Sequence, residues 1–158
     1  MKMVLLLFGL LLAVVFGIVF FQSDLKKNLP FPFFEKNPTL TIKNHTFTIL
    51  VAKTPQEKEV GLSEKTSLPQ NSGMLFPFEK ADYYSFWMKN MKISVDIIYI
   101  NKDKIVTIIE NAQAPKSPED NLQIFRPDEP ADKVLEINAG LSKKYGFKNG
   151  DGVKIENL

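Results

Sequence analysis

Three regimes of apolar and polar patterning succeed one another along the chain. Residues 3–21, MVLLLFGLLLAVVFGIVFF, hold no charged or strongly polar side chain, and as a helix these 19 residues would span roughly 28 Å, close to the hydrocarbon thickness of a bilayer. The run is long for the apolar part of a cleaved secretory signal, and no small-x-small site separates it from the adjoining QSDLKKN. Residues 1–22 therefore read as one uncleaved transmembrane helix. Lys2 stands at one end and Lys26 and Lys27 at the other, so charge orients it weakly; an N-terminal anchor that exports the remainder of the chain would place the domain outside the cytoplasm. Residues 23–38 carry three prolines and no period, the pattern of a linker. Its FPFF, residues 31–34, suits either the interfacial zone of a bilayer or a first contact with the domain.

From Thr39 onward the period is mostly two. TLTIKNHTFTILVA, residues 39–52, alternates branched residues on both sides of KNH and reads as a β-hairpin with His45 at its tip. Thr54, Pro55 and Glu57 form a capping box with proline at the first helical position, so a short helix is expected to start there and to close at Gly61. Strands are expected at Met74 to Glu79, Tyr84 to Met91, Val95 to Asn101 and Lys104 to Asn111, the last two joined by a turn at Lys102 and Asp103. Residues 112–132 hold four prolines and no period, too long a stretch for an ordinary connection. KVLEI then gives a strand, AGLSKKYG a turn of helix capped by Gly146, and GVKIENL a final strand. The pattern predicts an α+β, mainly β domain over 39–158: a small antiparallel, barrel-like sheet with two short helices.

The stretch SFWMKNMKISVDIIYI, residues 85–100, contains the one tryptophan of the chain and an aspartate inside an apolar run. If MKIS closes a hairpin through a loop of two or four residues, Lys89 falls directly across from Asp96, which predicts a partly buried ion pair with Asn90 capping backbone groups at the turn. Two readings fit. Trp87, Phe86, Met74 and Met88 are the residues of which small cores are made, whereas Trp87, Lys89 and Asn90 beside a buried carboxylate are also how a binding pocket is assembled. Asp96, Glu110 and Glu136 lie in strands and could converge as an acid–base pair, although the simpler expectation puts Glu110 and Glu136 in solvent.

Composition narrows the chemistry. There is no cysteine, which removes disulfides, thiolate metal sites and cysteine nucleophiles, and a net charge of +2 gives no reason to expect nucleic acid. One histidine and unevenly spaced methionines make a poor metal or copper(I) site. No GxSxG elbow, phosphate loop, HExxH or GxGxxG is present, and no cofactor is implied.

GMLFPF at 73–78, FWMKNMKISVDIIYI at 86–100, VLEINAG at 134–140 and GD at 150–151 stand in the order of a known family. The chain resembles the domain of unknown function 192 family from about residue 39 to 155. The resemblance implies a small β-rich domain, often behind a signal or anchor, and no established reaction. The family pattern falls on Gly61, Gly73, Met74, Phe76, Trp87, Met88, Lys89, Asn90, Asp96, Glu136 and Gly140. The chain departs from it at Ser63, Glu64 and Lys65, where members often have Met-x-Arg, and at Met91, where a threonine is usual.

The expected function is that of a membrane-anchored, extracytoplasmic and non-catalytic module. It would be held in the membrane through residues 3–21 and would bind an envelope component or a protein through Trp87, Lys89, Asn90, Asp96 and Glu136. The alternative is a small envelope hydrolase or transferase that uses strand carboxylates.

Overall fold

A computed structural model describes residues 37–117 and 123–158. The expected anchor, and all of the linker before Asn37, lie outside the described residues. Among the described residues no helix is long and apolar enough to cross a membrane.

The strands are β1 (Thr39–Ile42), β2 (His45–Val51), β3 (Ser72–Asp82), β4 (Phe86–Trp87), β5 (Val95–Asn101), β6 (Lys104–Ala112), β7 (Ile124–Phe125), β8 (Ala131–Asn138) and β9 (Val153–Glu156). The helices are α1 (Pro55–Val60) and α2 (Leu141–Tyr145). Seven strands form one sheet in the order β6-β5-β8-β3-β2-β1-β9, and β4 pairs with β7 in a separate two-stranded ribbon. The sheet is not purely antiparallel: β2 and β3 run parallel, because α1 and the loop after it carry the chain back to start β3 beside β2.

The sheet curls into a half-barrel. Two irregularities in the β5–β6 register bend β6, and at one end the loop before β9 reaches it. There Gly150 N–H donates to the Ile105 carbonyl at 2.8 Å and Ile105 N–H donates to that of Asp151 at 3.0 Å. Both faces are covered. Leu40, Ile42, Phe47, Leu75, Ile98, Ile100, Leu135 and Ile137 pack on one side with Leu141 of α2, whereas Phe76, Val95, Ile97, Tyr99 and Val134 pack on the other with Leu62, Met88, Met91 and Phe125. This explains the run VDIIYI, since a strand buried on both faces loses the alternation of a half-exposed one.

The hairpin at 39–51, the capping box of α1 and the left-handed Gly146 that ends α2 stand as the sequence predicts. The second expected strand does not. Only Phe86 and Trp87 of the span from Tyr84 to Met91 are extended, and they pair with Phe125 and Ile124 of β7, inside the stretch expected to be an unstructured loop. After Trp87 the chain turns sharply, with Met91 N–H donating to the Met88 carbonyl at 3.1 Å and Asn90 in the left-handed region at φ 60°.

Candidate functional site

Because side chains alternate along a strand, Asp96 on β5 and Glu136 on β8 leave the sheet in opposite directions. Asp96 stands opposite Ile137, while Glu136 stands opposite Ile97 on one side and Met74 on the other. Asp96 thus belongs to the face of Ile98, Leu135 and Ile137, and Glu136 to the face of Phe76, Ile97 and Tyr99. Both carboxyl groups are buried. They do not converge, so an acid–base pair made of Asp96 and Glu136 is ruled out, while Glu110 is exposed as expected.

Asp96 is fully occupied by the backbone. Its Oδ1 accepts the N–H of Asn111 at 2.7 Å and of Gly140 at 2.9 Å, and its Oδ2 accepts that of Ser142 at 2.7 Å. Asn111 lies in a bulge where two residues of β6 oppose Asp96, so its N–H has no ladder partner and the carboxylate supplies one. Gly140 and Ser142 are the entry to α2, whose first N–H groups also lack intrahelical acceptors. One side chain therefore ties β5, β6 and α2 together. The expected Lys89–Asp96 ion pair does not form: β4 pairs with β7 instead of β5, and no ion pair joins the two residues.

Glu136 is the reverse case. It is 5% exposed, and among the described residues no hydrogen bond or ion pair reaches its carboxyl group. Burial pushes its pKa up to about 8, since the charged form loses its hydration without gaining a partner. It is therefore mainly neutral at pH 7. The phenol of Tyr99 is pushed upward as well, first by burial and then by the nearby Glu136 charge, and its hydroxyl donates to the Phe125 carbonyl at 3.1 Å.

Glu136 lies at the inner side of a groove of about 270 Å³ between α1, the outer part of β3 and the β4 ribbon. Phe86 roofs the floor residues edge-on, with its ring centroid 5.1 Å from that of Phe76 and 6.0 Å from that of Tyr99. Phe78 and Tyr84 stack at 3.6 Å along one wall. Two cations stand over aromatic faces: Lys58 Nζ is 4.4 Å from the centre of Phe78 and Lys89 Nζ 5.5 Å from that of Trp87. Trp87 is 52% exposed, so it is a groove wall and not part of the core, while Met88 and Met91 are buried as expected.

Of the residues singled out from sequence, Trp87, Lys89 and Glu136 thus meet in one groove and Asp96 does not. Asn90 is exposed and serves the turn through its backbone; its side chain makes no hydrogen bond among the described residues. The sequence pattern singles out none of Lys58, Phe78 and Tyr84 as site residues; α1, β3 and the connection from β3 to β4 bring them in. No cluster of histidine, aspartate and glutamate suited to a metal occurs among the described residues. A larger cavity of about 590 Å³, lined by Met88, Phe125 and residues 109–116 among others, holds no buried acid or base.

The structure is thus a curled half-barrel with one aromatic groove around a solitary buried acid. The chain belongs to the domain of unknown function 192 family, described as "Uncharacterized ACR", whose model matches residues 38–155. Among solved structures it is similar to a protein of unknown function from Novosphingobium aromaticivorans, at 33% identity over 74% of this chain and 82% of that one, with a TM-score of 0.66. It is also similar to a protein described as a proposed transcription regulator from Sinorhizobium meliloti, at 31% identity over 77% of this chain and 93% of that one, again with a TM-score of 0.66. No curated protein matches the chain.

Proposed function

We propose that this protein is a binding module, anchored in the membrane by residues 3–21 and exposed outside the cytoplasm, whose half-barrel groove receives a small envelope ligand. The observation that carries the reading is the Glu136 carboxyl group: it is largely buried, has no protein partner and lines the groove, so a ligand seated there can hydrogen-bond it. The aromatic lining and the few polar groups that converge on the groove have the character of small-molecule sites. The uncharged run at 3–21 supports the anchor. The regulator description of the S. meliloti protein is not carried over, because a net charge of +2 is a weak basis for nucleic-acid binding. With Asp96 committed to the backbone on the far face of the sheet, a strand-carboxylate hydrolase lacks its second acid.

Trp87 is the only tryptophan, so its fluorescence reports on the groove directly. When the full chain in detergent micelles is titrated with soluble envelope fractions, at least one should shift Trp87 emission in a saturable way. Emission that ignores every fraction while circular dichroism shows a folded protein counts against the groove. Location is checked through the absence of cysteine. A Lys154→Cys variant, altered at an exposed lysine of β9, should react with a membrane-impermeant maleimide on intact cells, and labelling only after lysis would place the domain inside.

A further inference from the structure

The chemistry of the groove restricts what can fill it, on the reading that it is a binding site. A neutral carboxyl group is one O–H donor beside one C=O acceptor. Its O–H is best met by a strong neutral acceptor such as an amide carbonyl, and its C=O by a hydroxyl elsewhere on the same ligand, because a trans amide points its own N–H away from its carbonyl. An anion could take the O–H and would be drawn to Lys58 and Lys89, but it would leave the C=O acceptor without a donor. An ammonium ligand would meet Lys58 and Lys89, which already hold the aromatic faces at the rim and repel a further cation. The walls are aromatic, and Trp87 is half exposed beside the Lys89 cation that rests over its ring. A ring whose C–H face packs on them while its outer hydroxyls stay in water fits that geometry better than a wholly apolar guest. The volume, about 270 Å³, suits one such ring and little more.

We propose that the groove recognises an N-acetylated amino sugar, with the acetamido group hydrogen-bonded to the Glu136 carboxyl group and the sugar ring against the Trp87 wall. Ionised, Glu136 would lose the donor that the amide carbonyl needs, so binding falls as pH rises through its titration near 8. The other ionisable groups around the carboxyl group are Tyr99 below it, Lys58 and Glu59 on α1, and Tyr84 and Lys89 flanking β4.

The test is Trp87 fluorescence of the full chain in detergent, titrated with N-acetylglucosamine, glucose, N-acetylphenylalanine amide and tetramethylammonium. N-acetylglucosamine should bind at least tenfold more tightly than glucose, which lacks the amide. Its affinity should drop about 30-fold from pH 7 to pH 9.5, the fall in the neutral fraction of a group titrating near 8. Glu136→Gln keeps a donor and an acceptor, so it should bind at both pH values alike; any pH dependence left in it belongs to the lysines and tyrosines. Glu136→Leu should not bind. Tighter binding of glucose, of the peptide amide or of the cation would overturn the sugar assignment and leave the groove a binding site. Silence toward all four probes would overturn the assignment, and silence toward the envelope fractions as well would overturn the binding reading with it. A Glu136→Gln variant that loses binding at pH 7 would show that the ionised carboxylate, and not the neutral acid, is what the ligand requires.

Discussion

The two carboxyl groups buried among the described residues sit one residue out of register on neighbouring strands, yet the sheet turns them to opposite faces and gives them opposite environments. Asp96 receives three backbone N–H groups and closes a junction of β5, β6 and α2; Glu136 receives none and faces a groove. The contrast separates an acid that holds the fold from an acid the fold must tolerate. Burying an ionisable group without partners stabilises nothing by itself, so a retained one points toward a role outside folding.

The largest test of that contrast is on Asp96. Asp96→Ala leaves one buried and two partly buried N–H groups without an acceptor, at up to about 1 to 3 kcal/mol each, so the loss should be about 4 kcal/mol, a large share of the stability of a small domain. Chemical denaturation of the full chain in detergent measures it. A loss below about 1 kcal/mol would show that water replaces the carboxylate and that the junction is not what holds α2 in place.

Glu136 should act in the opposite sense and through pH. Its pKa rises from the ordinary carboxyl value of 4.5 in the unfolded chain to about 8 in the folded one, so the folded state binds the extra proton between those values. The associated stability is fully present below pH 4.5 and is lost as pH climbs toward 8. Between pH 5 and pH 8 the fall should be on the order of 3 to 4 kcal/mol. Glu136→Gln should flatten that slope and leave the protein more stable than the parent at pH 8. An unchanged slope in the variant would assign the titration elsewhere.

A smaller effect tests the strand that carries Glu136. A Cβ on Gly73 would lie 2.8 Å from the Glu136 carbonyl oxygen and 3.1 Å from side-chain carbons of both Leu135 and Ile137. Gly73→Ala should force β3 and β8 apart at a loss of about 2 kcal/mol, with the groove widened beside Glu136. Thermal unfolding gives the loss and Trp87 emission the widening; a neutral substitution would mean that the strands separate freely.

How much of the fold and the groove is legible in the sequence depends on the range over which each signal acts. The capping box from Thr54 to Glu57, the hairpin around His45 and the Gly146 cap are local, made by residues within a few positions of each other. Val95–Asn101 is legible because its unbroken apolar run is what a doubly covered strand needs. The partner of β4 is not. Alternation marks which way a side chain points but not which strand lies alongside, and Trp87 finds Ile124 across a proline-rich stretch that carries no period. From that one mispairing comes the expected placement of Asp96 beside Lys89. The burial of Glu136 escapes the sequence for a related reason: acids are usually exposed, and only the sheet order, with β8 between β5 and β3, covers it.

The smallest expected effect decides between that local reading and the observed pairing. A partly buried ion pair with Asp96 would make Lys89 costly to remove, by about 3 to 5 kcal/mol, since its loss would leave an uncompensated buried charge. In the structure Lys89 is exposed and its cation rests 5.5 Å from the Trp87 ring, a contact of about 0.5 to 1 kcal/mol. Lys89→Ala should therefore lower stability by no more than about 1 kcal/mol. It should nonetheless change Trp87 emission, because the cation leaves the ring face. A double-mutant cycle with Asp96→Asn makes the distinction independent of either single loss. Residues that share no contact give additive effects, whereas a coupling above about 1 kcal/mol would return Asp96 to the groove side and undo the separation of the two acids.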